Sequence, residues 1–470
     1  MRQVKLKKGI MYVFIANIIN LVISLITGFV LPKLLSIETY ANIKLFQLYV
    51  TYIGIVSLGF ADGMYLRIGG KDIETLDKKE ILEEFKTFKI FQFVVAVISI
   101  LISICVKNEI LLLCSIVIVP INIANYLRQV YQAIGQFKKY SRFTNVNTIL
   151  IFIVNILLLF IVKTDYYRSY IFGYIVVYII YWLLIEIETR NLFGYEKVKA
   201  DRKYLVQDIK LGFFLMIGNF CNVIFTSIDR LFVQNLLGTI QFAFYSFAVS
   251  IENLMNVFVT PISTVMYNYF CNNKEKKKIV NVKMYILLFS SLIIAVIFPA
   301  KFIINIWLIK YKNALEVLFL LFAAQYIAIM IRCVHVNLYK AEKKQKKYFK
   351  IMVIVVILSI ILNIIAYNIS KTINSIGVAT LITNIIWFII GEFEFKNYRL
   401  KNKDYIYTFL VMIIFLMSGL IKNAILGILV YCLTVFILAI LLEKNTILCI
   451  VNEIKGEVSK WRKQQDENQI

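Results

Sequence analysis

Long apolar segments, separated by short polar ones, extend along the whole chain. Fourteen of them, each about 17 to 29 residues long, carry few charges. At a rise of about 1.5 Å per residue, each can cross the hydrocarbon layer of a bilayer as one helix. The predicted spans are 10–31, 43–60, 89–106, 110–130, 143–162, 169–187, 211–237, 241–269, 284–305, 314–334, 350–368, 373–391, 405–421 and 424–442. The pattern predicts an all-α polytopic membrane protein with 14 transmembrane helices.

The composition excludes the other broad classes. Of the 470 residues, 60% are apolar and 17% are charged, which fits neither a soluble globular protein nor a disordered chain. The seven cysteines are scattered and never form a Cys-x-x-Cys pair, so a disulfide scaffold is excluded. The single histidine, His335, is expected at the membrane interface near an inner helix end. We therefore expect no metal and no cofactor.

The positive charge follows the predicted topology. With the N-terminus inside, 41 of the 52 Lys and Arg residues fall in inner segments and 10 in outer loops, among them Lys44. Such a bias is the positive-inside signal, and it places both termini in the cytoplasm. The net charge of +24 is therefore a property of topology, and no nucleic-acid partner is expected.

Two separate blocks in the first half of the sequence each recur in the second half. Residues 17–20 (Asn-Ile-Ile-Asn) recur as 219–222 (Asn-Phe-Cys-Asn), and residues 131–140 recur as 339–348. Two such blocks in the same order predict two six-helix halves in parallel, which is typical of transporters. Gene duplication in another kind of membrane protein is the alternative.

This repeat gives the predicted organisation of the chain. The segments are an N-terminal lobe (1–190), a cytoplasmic linker (191–210), a C-terminal lobe (211–396), two additional transmembrane helices (404–442) and an amphipathic cytoplasmic tail (443–470). In the tail, an apolar face with basic neighbours predicts binding to anionic membrane lipids. That face consists of Ile447, Val451, Ile454, Val458 and Trp461.

Polar side chains follow one face of each equivalent span. Asn17 and Asn20 begin this face in span 1, and Asn219 and Asn222 begin it in span 7. Thr226 and Asp229 continue it at helical spacing. The face either forms hydrogen bonds between helices or lines a cavity.

Ionisable residues within the apolar runs are the strongest candidates for a substrate site. Asp229 and Arg230 lie in span 7, and Glu252 lies in span 8. A charged side chain in hydrocarbon costs about 2.5–3.5 kcal/mol, so it should face protein or water. Either Arg230 and Glu252 form a pair that fixes helix register, or Arg230 meets an anionic substrate in a cavity.

A glycine-rich segment at the inner end of span 2 contains Asp62 and Arg67. Glycine there permits a helix end or a hinge. The two residues are candidates for a cytoplasmic gate, and the alternative is a capped helix terminus.

Catalytic signatures are absent from the sequence. It contains no phosphate-binding glycine loop, no Gly-x-Ser-x-Gly and no His-Glu-x-x-His. The chain is therefore predicted not to be an enzyme, and an integral-membrane glycan polymerase or acyltransferase is the less favoured alternative.

The run Ser-Ile-Asp-Arg-Leu-Phe-Val-Gln-Asn-Leu-Leu-Gly at 227–238, followed by Phe242, Phe244 and Tyr245, carries a resemblance. With 14 spans and a parallel six-plus-six repeat, the chain resembles the bacterial polysaccharide flippases. These are the O-antigen and capsule repeat-unit (Wzx-type) members of the multidrug/oligosaccharidyl-lipid/polysaccharide exporter superfamily.

The resemblance implies a function and a site. It implies translocation of an undecaprenyl-diphosphate-linked oligosaccharide across the bacterial cytoplasmic membrane by alternating access, with a cationic cavity that points to Arg230 and Asp229. A coupling ion (H+ or Na+) and partnership with a polysaccharide polymerase and chain-length machinery are expected with it. A multidrug exporter, which usually has 12 spans, and a lipid II flippase, which has an arginine in span 1 where this chain offers Asn17 and Asn20, are the alternatives.

Overall fold

A computed structural model of the chain describes the backbone of residues 2–69, 71 and 73–467. Side chains are described from Ile18 onward, except at 70, 72, 75, 268, 450, 451 and 453–470. Every regular element in these ranges is helical, and the described part contains no strand. The chain divides into two compact units, Met1–Ser246 and Phe247–Ile470. The protein is thus an all-α multi-pass membrane protein, as the sequence predicts.

The described residues of the first unit form ten helices, and the border of the unit lies within an eleventh, α11. Their bounds are α1 (Arg2–Leu34), α2 (Ile37–Tyr52), α3 (Phe60–Ile68), α4 (Lys78–Val106), α5 (Glu109–Ile116), α6 (Ile118–Ala133), α7 (Phe137–Ile156), α8 (Tyr167–Phe193), α9 (Arg202–Phe225), α10 (Ile228–Phe232) and α11 (Thr239–Glu252). Short 3₁₀ segments (Ile53–Ser57, Ile73–Thr75) and π segments (Leu157–Val162, Val233–Leu237) join them.

Side-chain caps fix where several of these helices begin. The Ser36 hydroxyl accepts a hydrogen bond from the Thr39 N–H at 3.2 Å, and this cap fixes the start of α2. Asp77 accepts the Lys79 N–H at 2.9 Å at the start of α4. Each cap satisfies a backbone donor that the first helical turn leaves without a partner, which makes these starts local properties of the sequence.

The helices α3 and α9 touch through glycine. A Cβ atom on Gly212 would lie 2.0 Å from the Gly59 carbonyl oxygen, and one on Gly63 would lie 1.9 Å from the Asp208 carbonyl oxygen. Gly59 also has φ +82° and, with Leu58 at φ 52°, turns the chain by 61° between α2 and α3. Glycine is thus required both for the bend and for the backbone contact.

In the second unit, the part of the chain that the structure describes forms nine helices beyond α11. They are α12 (Asn256–Asn272), α13 (Lys276–Ile293), α14 (Ile297–Ile306), α15 (Leu315–Met330), α16 (Val336–Ala341), α17 (Gln345–Ile369), α18 (Ile373–Glu394), α19 (Asn402–Leu420) and α20 (Ala424–Glu467). The 3₁₀ segments are Asn253–Met255, Ile294–Val296, Ile309–Ala314 and Lys396–Tyr398, and Ile331–His335 is a π segment. Glu443 kinks α20 with φ −122°.

Buried charges attach α19 to the rest of the second unit. The Lys301 ammonium donates to the carbonyl oxygens of Gly419 at 2.7 Å and Ile421 at 2.6 Å, at the end of α19. Near the other end, Glu392 accepts the Lys283 ammonium at 2.6 Å and the Tyr405 hydroxyl at 2.9 Å. Both ends of this helix are therefore held by hydrogen bonds from buried residues.

His335 is buried within the second unit, and its predicted position at the membrane interface stays a prediction. Its side chain is 1% exposed, and its Nε2 is hydrogen-bonded to Glu392 at 2.8 Å. The π segment that contains it turns the ring inward against Gly391, where a Cβ would lie 2.2 Å from the ring. The apolar run from which the interface was predicted does not reveal this contact.

Thirteen of the 14 predicted spans correspond to helices with the required length and hydropathy. Eleven single helices qualify, and two bent pairs, Ile37–Ser57 with Phe60–Ile68 and Glu109–Ile116 with Ile118–Ala133, raise the number to 13. In predicted span 1, the described part is the shorter apolar segment Ile18–Leu34. The total of 14 and the division into two six-helix lobes therefore stay predictions.

The last predicted crossing gives a direct test of topology. A reporter that is active only in the cytoplasm should be inactive after Lys422 and active after Glu443, because the apolar residues 424–442, the first part of the candidate span Ala424–Cys449, lie between the two points. Activity at both points, or at neither, would contradict the predicted topology.

The tail after the kink at Glu443 is helical to Glu467. Of its predicted apolar face, Ile447 is described, whereas Val451, Ile454, Val458 and Trp461 lie outside the described side chains. Membrane-surface binding by the tail stays a prediction.

Candidate functional site

A polar cluster in the first unit lies where α9 ends and α10 begins. Ser227, between the two helices, has φ −138° and ψ −9°, outside helical geometry. Its hydroxyl donates to the Val223 carbonyl oxygen at 2.6 Å and is hydrogen-bonded to the Tyr52 hydroxyl. A helix break inside a membrane is tolerated when side chains satisfy the freed backbone groups; here the Ser227 hydroxyl binds the Val223 carbonyl oxygen, and Tyr52 of α2 is hydrogen-bonded to that hydroxyl.

Asp229 fixes the first turn of α10. Its side chain is buried; it accepts the Arg230 backbone N–H at 2.8 Å and the Tyr245 hydroxyl at 2.6 Å. The carboxylate is thus occupied by groups of its own unit. It positions the residue that follows it, Arg230.

The Arg230 guanidinium is only partly satisfied. Its Nη2 donates to the Thr226 carbonyl oxygen over a long 3.4 Å, and its buried Nε has no partner among the described residues. In the described part of its own unit, Arg230 forms no ion pair. Donors and positive charge therefore stay available for a ligand.

A second cation, Lys44, lies near Arg230. The two side chains interact electrostatically, and the Lys44 ammonium lies 5.4 Å from the centre of the Tyr40 ring. Placing Lys44 in an outer loop was wrong, because the Ser36 cap starts α2 at Ile37 and puts Lys44 two turns inside the helix. Two like charges that repel each other in a membrane helix bundle favour the binding of an anion.

The predicted continuous polar face of span 7 is wrong in its last part. The break at 226–227 separates Asp229, which is buried, from Asn219 and Asn222, which are exposed. In span 1, Asn20 is half-buried and its Oδ1 has no described partner, and the side chain of Asn17 lies outside the described residues. Whether these asparagines line a cavity stays a prediction.

Asp62 and Arg67, both in α3, form hydrogen bonds or ion pairs with residues of neighbouring helices. The Asn219 amide donates to Asp62 at 3.4 Å. Arg67 forms ion pairs with Glu80 at 2.9 Å, with Asp208 at 3.2 Å and with Glu84. Neither residue merely caps a helix end, since each joins α3 to α9 and Arg67 also joins it to α4. Their role as a gate stays a prediction.

Glu252 belongs to a network in the second unit. It accepts a hydrogen bond from the Gln325 amide, whose oxygen accepts one from Arg332. Arg332 also donates to Asn256 at 2.6 Å. Glu252 and Arg230 lie in separate units, and a substrate role for Glu252 stays a prediction.

No group of His, Cys, Asp and Glu among the described residues has the arrangement of a metal site.

A family model described as "Polysaccharide biosynthesis protein" matches residues 6–274, more than half of the chain. Comparison with curated protein sequences gives no match.

Solved structures show which proteins share the fold. The lipid II flippase MurJ in an inward closed conformation is 18% identical, with a TM-score of 0.69, over 93% of this chain and 99% of that chain. A multidrug resistance MATE family transporter of the MOP superfamily, in an inward-facing conformation, is 12% identical, with a TM-score of 0.57, over 84% and 98%. A MATE structure in a straight conformation is 11% identical, with a TM-score of 0.51, over 87% and 96%. At these identities the likeness shows the fold alone.

Proposed function

We propose, from the premise that the chain belongs to the polysaccharide biosynthesis protein family, that it is a flippase for a lipid-linked oligosaccharide. The observation that carries the proposal is the pair of cations, Lys44 and Arg230, beside a helix break within apolar helices. The family supplies the context of surface-glycan synthesis, and the shared fold supplies the context of membrane transport.

The chemistry of the substrate explains why two cations are needed. A lipid-linked oligosaccharide of this class carries a diphosphate, whose charges lose their hydration when they enter a helix bundle. A guanidinium binds phosphate oxygens in a fixed fork, and an ammonium adds a compact point charge. Arg230, with an unsatisfied Nε, suits the first role, and Lys44 suits the second.

The chain acts in the bacterial cytoplasmic membrane with both termini in the cytoplasm. It carries an undecaprenyl-diphosphate-linked glycan outward by alternating access, without catalysis, cofactor or metal. A polysaccharide polymerase and its chain-length machinery then receive the glycan.

Complementation in two hosts tests this proposal. The chain should restore surface polysaccharide to a host that lacks its polysaccharide flippase, measured per amount of membrane-inserted protein. It should not sustain growth of a host depleted of its lipid II flippase. Rescue of the second host alone would overturn the oligosaccharide proposal and favour lipid II as substrate.

A further inference from the structure

Two fully buried carboxyl groups share one arginine where α3, α4 and α9 meet. The side chains of Glu84 and Asp208 are both 0% exposed. Arg67 donates from Nε to Asp208 at 3.2 Å and from Nη2 to Glu84. Glu80, the third carboxylate on this guanidinium, is 42% exposed, so water stabilises its charge. The buried part of the cluster thus has two acidic groups for one cation.

The other groups that face the pair do not supply a second positive charge. From α6, the Tyr126 hydroxyl donates to Glu84 at 2.9 Å. From α9, the Tyr204 ring lies 5.9 Å from the Arg67 guanidinium, and its hydroxyl donates to Glu83 at 3.3 Å. Among the described residues, Arg67 is the one cation within 4 Å of either Glu84 or Asp208.

One carboxyl oxygen of the pair accepts no hydrogen bond from the described residues. Asp208 Oδ2 is buried and finds no donor in the described part of the chain. The carboxyl groups of Glu84 and Asp208 bind Nη2 and Nε of the same guanidinium, and these two nitrogens share one carbon atom, so the carboxyl groups are held close to each other. Ionised carboxylates only accept hydrogen bonds and repel each other, so two of them buried on one guanidinium favour the retention of one proton.

We propose that Glu84 and Asp208 hold one exchangeable proton between them, and that this proton is the ion coupled to transport. The coupling part rests on the proposed flippase function, whereas the proton site does not. With the proton bound, one carboxylate balances Arg67, and no uncompensated charge is buried. A metal cation would fit poorly, because the guanidinium already contacts both carboxyl groups.

The position of the pair connects protonation to helix contacts. Asp208 is the residue whose carbonyl oxygen meets Gly63, where α3 and α9 touch. When the proton leaves, two buried negative charges face each other between α4 and α9, and their repulsion favours separation of these helices. When it returns, the helices close again.

Infrared spectroscopy of the full-length protein in lipid nanodiscs tests the proton site directly. At about pH 7, exposed carboxyl groups are ionised, and a protonated carboxyl shows its own C=O band. Glu84→Gln and Asp208→Asn should each remove the same single band from the wild-type spectrum. The double variant should remove no more than either single variant does. Glu392→Gln is the control matched in burial, and it should leave this band, because Lys283 and His335 contact that carboxylate.

The single variants should be inserted in normal amounts, since each leaves one buried carboxylate with Arg67. A wild-type spectrum without the shared band, or a band that survives both single variants, would overturn the proton site. The second part is tested by export: Glu84→Gln cannot release the proton and should lose at least about tenfold of glycan export per inserted protein. Wild-type export by this variant would overturn the coupling. If the single variants lose the shared band but the wild-type chain rescues neither the host without its polysaccharide flippase nor the host depleted of its lipid II flippase, the proton site is supported and the proposed function is refuted.

Discussion

Arg230→Ala should reduce glycan export by about ten- to a hundredfold per inserted protein. A hydrogen bond to a charged group contributes about 1.5–3 kcal/mol, and about 1.4 kcal/mol corresponds to a factor of ten in rate. Arg230→Lys keeps the charge but not the planar fork, so it should retain an intermediate activity. Surface polysaccharide in a flippase-deficient host, divided by the amount of inserted protein, measures both.

Arg190 provides the matched control. It lies in the same unit, but its guanidinium is paired with Glu186 at 2.8 Å. Arg190→Ala should therefore export at nearly the wild-type level. The glycan export of Lys44→Ala should lie between the export of Arg190→Ala and that of Arg230→Ala, because an ammonium contributes charge without the bidentate geometry. Full export by Arg230→Ala would contradict the substrate contact and leave Arg230 a structural residue.

Gly212→Ala should strongly reduce stability. Its methyl group would lie 2.0 Å from the Gly59 carbonyl oxygen, a backbone atom that moves only if α3 and α9 separate. Overpacking costs about 1–3 kcal/mol in ordinary cores, and a contact with rigid backbone belongs at the upper end of that range. The thermal midpoint of the purified protein should fall, and the inserted amount should fall with it.

Gly218→Ala tests whether this effect is steric. Gly218 lies on the same helix, and a Cβ atom there meets nothing within 4 Å. Because alanine is the better helix former by about 1 kcal/mol, this variant should be as stable as the wild type or more stable. Equal losses at both positions would show that the close contact between α3 and α9 does not limit stability.

The sequence predicts the fold well because hydropathy is a local property. Thirteen predicted spans coincide with qualifying helices, and the Ser36 cap that places Lys44 inside α2 is also legible in the sequence. The break after Thr226 is not, since the apolar run continues through it and the stabilising partner, Tyr52, lies far away in the chain.

The candidate site was only partly predictable, because some of its contacts join residues that lie far apart in the chain. Arg230 and Asp229 stand out as charges within an apolar run, whereas Glu84 and Asp208 fall near helix starts that look solvent-exposed. Only the tertiary contact with Arg67 shows that both carboxyl groups are buried. His335 illustrates the same limit, since its buried hydrogen bond to Glu392 joins residues that lie far apart in the chain.

The attachment of Lys301 limits how far the chain can be shortened. If it ended before Gly419, the ammonium would lose both carbonyl acceptors while its side chain stayed surrounded by apolar residues. A charge stranded in this way costs several kcal/mol, so such a truncation would fail even if the removed helices had no part in transport. Shortened versions of this protein should therefore replace Lys301 by leucine or methionine, and deletion series should be interpreted only with that substitution present.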